Sequence, residues 1–315
     1  MTFYFLLYFI LIFLLTNLLI KYSIPLMGNI FKEIPNQRSS HKETKLKGGG
    51  IFFILMVLIS NIIFIIFQGQ SEISQIIIFC TLLSLIGLAD DLISLSSKIR
   101  YSTHLIFSFL IVNTVHPFLI TDQNYIVLLA LIFFGTVIIN FINFIDGIDG
   151  LLIGCSIPIL IFSQINLFNF QILTLIASML AFLKWNWDPS KIFMGDCGSN
   201  YLGGLIFYLM LSKGEYLIDF KTIFITYPIL LDCSLSIIRR FINKENIFNA
   251  HNKHIYQRLH QAGISHGNIS IIYIILCLAN FLITFQNNLN IFIFIALFEF
   301  LFILYLDKNF AKRFI

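Results

Sequence analysis

Eleven apolar stretches dominate the chain, near 2–22, 49–67, 74–89, 102–117, 124–141, 151–166, 169–185, 200–212, 217–238, 269–286 and 289–306. A membrane-spanning helix needs about 20 such residues. Backbone amides and carbonyls find no water in the bilayer core, so uniformly apolar runs of this length are expected as helices. No period-2 alternation marks a membrane barrel. The expected fold class is therefore all-α: a polytopic membrane protein of about 11 (10–11) transmembrane helices, with residues 1–315 as one domain. Composition agrees, because only 11% of residues are charged and 58% are apolar, against about 25% charged in a soluble domain. The first run lacks a basic leader and a small-residue cleavage site, so it reads as a retained span. The cysteines are scattered singly and form no metal-ligand spacing.

Basic residues flanking spans stay on the cytoplasmic side. Numbering the gaps alternately puts eighteen of the 20 lysines and arginines on one side and leaves only Lys213 and Lys221 on the other. That asymmetry predicts an N-terminus outside, a C-terminus inside and cytoplasmic loops near 23–48, 90–101, 142–150, 186–199 and 239–268. The acids and histidines obey the same parity. Asp90, Asp91, Asp146, Asp149, Asp188, Asp196, His251, His254, His260 and His266 all fall in cytoplasmic gaps, so the expected chemistry faces the cytoplasm.

Several of these groups are too patterned for ordinary helix caps. Asn140, Asn143, Asp146 and Asp149 recur every third residue, which on a helix or tight turn makes one polar stripe. Oxygen ligands of this kind suit Mg²⁺, which is held by one or two carboxylates together with substrate phosphates. Asp196 lies between Gly195 and Gly198, where irregular backbone amides can face a phosphate, and could complete a metal site with Asn143 and Asp149. Asp90 and Asp91 close the third run, followed by Lys98 and Arg100. His251 and His254, three residues apart, are expected to share a helical face with Arg258; no Glu stands between them as in the zinc motif HExxH. In the first loop, Arg38, His41 and the glycines 48–50 exceed what simple membrane anchoring requires. Asp232 lies inside a span, where pairing or structural polarity is the expected role. His104 reads as an interfacial side chain.

In this order the segments PNQRSSH with GGG, DDLISLSSKIR, NFINFIDGIDGL, FMGDCGSNYLGG and HNKHIYQRL resemble the polyprenyl-phosphate N-acetylhexosamine-1-phosphate transferases, from about Pro35 to Leu259. That family includes the phospho-MurNAc-pentapeptide translocase and the enzymes that initiate O-antigen and related surface polymers. The resemblance implies a bacterial inner-membrane enzyme that moves a sugar 1-phosphate from a UDP-sugar to undecaprenyl phosphate and releases UMP. It implies Mg²⁺, with Mn²⁺ as a substitute, held by Asp196 with Asn143 and Asp149. It gives Asp90, Asp91 and Asp146 catalytic roles, Asp90 acting on the lipid phosphate. Arg38, His41, Lys98, Arg100, Asn140, His251, His254 and Arg258 would then contact substrates. No nucleic-acid partner is expected, and a homodimer is left open.

The chain departs from the family pattern at Thr44, Leu46 and Lys47, where prolines and an arginine are usual, and at His104, where glutamine is frequent. The HxxHxYQR form resembles the surface-polysaccharide branch and favours a small N-acetylated hexosamine, or its deoxy derivative. The alternatives are a peptidoglycan-type phospho-MurNAc-pentapeptide transferase and, in another class, a multispan lipid or solute transporter. The absence of matching broken-helix repeats weakens the transporter reading.

Overall fold

The computed structural model describes residues 2–28, 31–33, 44–166, 168–211, 216–247 and 251–314. Arg38 and His41 lie outside the described residues. The architecture is all-α, with one small antiparallel ribbon that pairs β1 (Lys32–Glu33) with β2 (Lys45–Leu46).

Each apolar stretch has become a helix. In chain order they are α1 (Thr2–Met27), α2 (Gly50–Gln68), α3 (Glu72–Ile93), α4 (Ser97–Val115), the short α5 (Phe118–Thr121), α6 (Tyr125–Ile145), α7 (Leu151–Asn166), α8 (Phe170–Asn186), α9 (Gly195–Met210), α10 (Phe220–Ile242), the short α11 (Ile255–Gln261), α12 (His266–Ile283) and α13 (Leu289–Asn309). Among the described residues, seven are long and apolar enough to cross a membrane, namely α1, α2, α3, α6, α10, α12 with its 3₁₀ extension, and α13; α7 and α8 are shorter apolar helices. The protein is a multi-pass membrane protein.

Helix starts follow local chemistry. Ser71, Ser96, Asn169, Asp219, Ser265 and Asn288 each accept a backbone N–H from the first turn of the helix that follows, which satisfies amides that have no intrahelical partner. Helix α9 has no such residue, since Met194 offers no side-chain cap. It is also the innermost element, buried along nearly its whole length and packed by α2, α3, α4 and α6. By contrast α1 and α13 turn rows of Leu, Ile and Phe outward, as lipid-facing helices do.

The most extensive helix packing is between α3 and α9. A Cβ added at Gly87 would stand 2.8 Å from the Asn200 amide nitrogen and closer still to the Asp196 carbonyl oxygen. Only glycine lets these backbones touch, and the contact brings the end of α3 to the start of α9. Gly87→Val is expected to cost about 1–3 kcal/mol of stability through overpacking. The check is a lowered thermal unfolding midpoint for the purified protein in detergent; an unchanged midpoint would mean that the two backbones can separate freely.

Candidate active site

Four helix ends meet at one point: the last turn of α3, the first turn of α4, the end of α6 and the first turn of α9. The missing cap of α9 is supplied from α3. Asp91 accepts the Asp196 N–H at 3.0 Å and the Cys197 N–H at 3.2 Å through its two carboxylate oxygens. Lys47, just after β2, pairs with the same carboxylate at 2.9 Å. Gly195 has φ +75°, and a Cβ there would collide with Asp91 and with the Gly48 backbone, so the turn into α9 requires glycine. The Asp91 side chain is fully buried in this arrangement, which makes it a structural acceptor at the base of the site.

Its neighbour faces differently. Asp90 accepts the Leu95 N–H at 2.5 Å and an Arg100 guanidinium N–H at 3.0 Å. Arg100 is 41% exposed, so this pair opens toward the surface. Asp90 also lies close enough to Asp196 for the two carboxylates to influence one another. The Asn143 amide donates to Asp196 at 3.1 Å and to the Ser199 hydroxyl at 2.8 Å. The expected Asn143–Asp196 convergence is thus present, with Ser199 as an added partner. Asp146 follows directly on α6, and burial together with the Asp196 and Asp91 charges pushes its carboxyl well above the usual range. Burial alone would lower the Lys47 ammonium; the charges of Asp196 and Asp91 outweigh it and raise the group. Four carboxylates therefore share this cluster with one lysine and the Arg100 guanidinium, which leaves it short of positive charge.

Asp149 goes elsewhere. Helix α6 ends at Ile145, so the three-residue stripe breaks after Asn143 and the turn carries Asp149 to another set of partners. Its carboxylate accepts the Ser190 N–H at 3.0 Å and the Ser190 hydroxyl at 2.8 Å, and meets Lys45 at 3.3 Å and His266 at 3.4 Å. Burial alone would raise the Asp149 carboxyl; the hydrogen bonds from His266 and Ser190 outweigh it and hold the group below the usual carboxylate range. Asp149, Asp188 and His266 bring ligand atoms within 4.8 Å of one another.

The histidine segment is organised by Asp232. This buried carboxylate accepts the backbone N–H groups of Ile255 at 3.0 Å and Tyr256 at 2.9 Å, and the Tyr273 hydroxyl at 2.5 Å. His254 Nδ1 lies 3.3 Å away. Asp232 thus caps α11 from α10, and the helix begins only at Ile255. His251 and His254 precede it, their rings stacked at 4.7 Å between centroids and both against Phe144 at the end of α6. The Tyr256 hydroxyl locks the same junction by donating to the Phe144 carbonyl at 2.7 Å. Arg258, one turn further, does not share the histidine face. It pairs with Asp307 and donates to the Lys312 carbonyl at 2.7 Å.

Of the remaining expected residues, Lys98 is exposed on the first turn of α4, and the Asn140 amide donates to the Thr136 carbonyl at 2.7 Å. His104 is buried within the helix bundle, and neither ring nitrogen has a hydrogen-bond partner among the described residues. It stands beside Asn140 and Asn200, one helical turn below Arg100, because α4 turns that face toward α6 and α9. Sequence reasoning missed Ser190, Ser199 and the capping roles of Asp91 and Asp232. Each depends on a partner far away along the chain, and only the intramembrane position of Asp232 gave a signal.

The profile of glycosyl transferase family 4 matches residues 73–213, a segment that contains the Asp90, Asn143 and Asp196 cluster. A Bacillus subtilis protein described as a probable undecaprenyl-phosphate N-acetylglucosaminyl 1-phosphate transferase is 30% identical over 263 residues, covering 76% of this chain and 73% of its own. A Thermotoga maritima undecaprenyl-phosphate alpha-N-acetylglucosaminyl 1-phosphate transferase is 28% identical over 72% of each chain. A phospho-N-acetylmuramoyl-pentapeptide-transferase of Dictyoglomus thermophilum is 34% identical over 64% of this chain and 72% of its own.

Two measurements test this geometry. Burial, followed by the charges of His254 and Arg240, pushes His251 down to about 3. Unfolded, the same imidazole titrates near ~6.5. Between those values the unfolded chain holds a proton that the folded one refuses, so stability falls as pH drops through the window. The thermal midpoint is expected to decline from about pH 7 to about pH 5, and His251→Gln should flatten that decline. Asp232→Ala is expected to cost about 3 kcal/mol or more, because it leaves several buried donors unpaired; a loss below about 1 kcal/mol would show that α11 is anchored otherwise.

Proposed function

The chain belongs to glycosyl transferase family 4, and on that premise we propose that it transfers an N-acetylated hexosamine 1-phosphate from a UDP-sugar to undecaprenyl phosphate, releasing UMP. The observation that carries this reading is the convergence of Asp90, Asp91, Asn143, Asp146 and Asp196 at the ends of α3, α6 and α9. A site short of positive charge, beside a lipid-facing surface, suits a reaction in which two phosphate anions meet at the membrane boundary.

The donor set fits a hard divalent cation. Asp196 offers carboxylate oxygens and Asn143 an amide oxygen once its amide nitrogen releases Asp196, and the crowding of Asp90, Asp91 and Asp146 around Asp196 favours a cation among them. We assign Mg²⁺ to Asp196 and Asn143, with Asp146 adding its charge and Mn²⁺ as a substitute. When bound, the ion neutralises charge on the donor diphosphate. Asp149, Asp188 and His266 offer a second donor set, but Lys45 already neutralises Asp149 there.

The chain's own groups do the rest by positioning, as in other phosphoryl transfers. Asp90, held by Arg100 and the Leu95 N–H, orients the acceptor phosphate at the open edge of the cluster. An oxygen of the lipid phosphate bonds to the β-phosphorus of the UDP-sugar, and the bond from that phosphorus to UMP breaks. Arg100 and Lys98 offset the charge of the incoming lipid. His251, kept neutral, and His254, stacked against it and against Phe144, present ring nitrogens toward the donor side. The parity of the basic residues supports a bacterial inner-membrane protein with eleven spans, its N-terminus outside and its active site cytoplasmic. The product would start a lipid-linked surface polysaccharide.

The test incubates the purified protein with Mg²⁺, undecaprenyl phosphate and a panel of UDP-sugars that includes the MurNAc-pentapeptide nucleotide, and follows UMP. A UDP-N-acetylhexosamine is expected to be consumed. Asp196→Asn should lower turnover by at least about a hundredfold without loss of folded protein. Full turnover in that variant or in EDTA would remove the metal assignment; consumption of the pentapeptide nucleotide alone would move the chain to the peptidoglycan branch.

A further inference from the structure

A cavity of about 550 Å³ with a basic rim opens beside the ends of α10, α11 and α13. Its charged lining is Arg239, Arg258, Lys308 and Arg313 against a single carboxylate, Asp307, with Phe314 as an aromatic wall. None of the transferase chemistry above uses it.

The cavity is poor in anions. Asp307 pairs with both Arg239 and Arg258, so one negative charge is divided between two guanidinium groups. Lys308 and Arg313 make no ion pair among the described residues. The Phe314 ring lies 5.9 Å from Arg239 and 5.2 Å from both Lys253 and Arg258, a weaker compensation than an anion. Arg258 is 4% exposed, and its Nε has no hydrogen-bond partner among the described residues. Burial, followed by the charge of Arg239, pulls its guanidinium down to about 10. A buried cation in such surroundings calls for a further counter-charge.

The surface around the cavity indicates where that anion comes from. Ile238, Phe241 and Ile242 on α10, and Leu301 and Tyr305 on α13, are all exposed, so apolar helix faces approach the basic wall. We propose that the cavity binds the phosphate-bearing headgroup of an anionic phospholipid whose acyl chains lie along the exposed faces of α10 and α13. Basic pockets between membrane helices recognise lipid headgroups in this way. The site is distinct from the carboxylate cluster. It is nevertheless coupled to the His251–His254 segment, because Arg258 belongs to α11 and the N-terminus of that helix carries His254. A phosphate that engages Lys308, Arg313 and Arg258 steadies the far end of α11.

Binding can be measured without substrate, so failure here leaves the transferase reading untouched. The full chain is purified, exposed to equal amounts of phosphatidylglycerol and phosphatidylcholine, and its retained lipids are counted by native mass spectrometry. Wild-type protein is expected to retain phosphatidylglycerol preferentially, and the preference should shrink as salt is raised. The double variant Lys308→Gln, Arg313→Gln should weaken retention about thirtyfold, whereas Lys308→Arg, Arg313→Lys should keep it. Equal retention of the two lipids by wild-type protein, or a preference indifferent to salt, overturns the proposal even if the double variant does not fold. Protection of wild-type protein against heat by inorganic phosphate, with none by phosphatidylglycerol, would assign the cavity to free phosphate and reject the lipid.

Discussion

The arrangement rests on one hydrogen-bonded junction, the Asp91 carboxylate at the start of α9. A helix that begins buried inside the protein leaves first-turn amides that water cannot reach, and each left unpaired costs about 1–3 kcal/mol. Asp91 satisfies two of them from a different helix, and its negative charge also suits the positive end of the α9 dipole. Lys47 supplies the compensating charge. Once this junction forms, Asp90 is bound to stand beside Asp196, because the two acids are adjacent in α3 and the α9 backbone is held against them by the Gly87 contact.

The two acidic clusters show how different neighbours give similar residues different uses. Asp149 is saturated by Ser190, Lys45 and His266, and remains ionised despite its burial. Asp146 and Asp196 are crowded by other carboxylates with one lysine among them. A saturated carboxylate braces loops; an undersaturated group holds affinity in reserve for a cation and for the phosphates that come with it. The loop after α6 makes this separation, since Asn143 lies on the helix and Asp149 beyond its end.

Asp232 repeats the device used by Asp91. In both cases an acid on a long helix caps the start of another helix, α9 having no side-chain cap of its own and α11 having a His254–Gln257 capping box beside it, and thereby locates a functional segment: Asp196 in one case, His254 in the other. Buried acids are costly unless paired, and each of these is paired with hydrogen-bond donors. The second capped helix, α11, also bears Arg258, so it links the histidine pair at its start to the basic cavity at its end.

Much of this was legible in one dimension. Uniform apolar runs admit only helices in a bilayer, so the all-α class and the positions of the long helices follow from the sequence alone. The clustering of Asp90, Asn143 and Asp196 followed from their common position at the ends of those runs. What the tertiary structure alone decided is which acid does what. Asp91 and Asp232 became caps, Asp149 left the Asn143–Asp196 cluster, Arg258 turned to Asp307, and His104 was buried. The physical reason is that apolarity and helical period are properties of neighbouring residues, whereas the role of a carboxylate is set by the donors and charges around it, and here those come from helices tens of residues away.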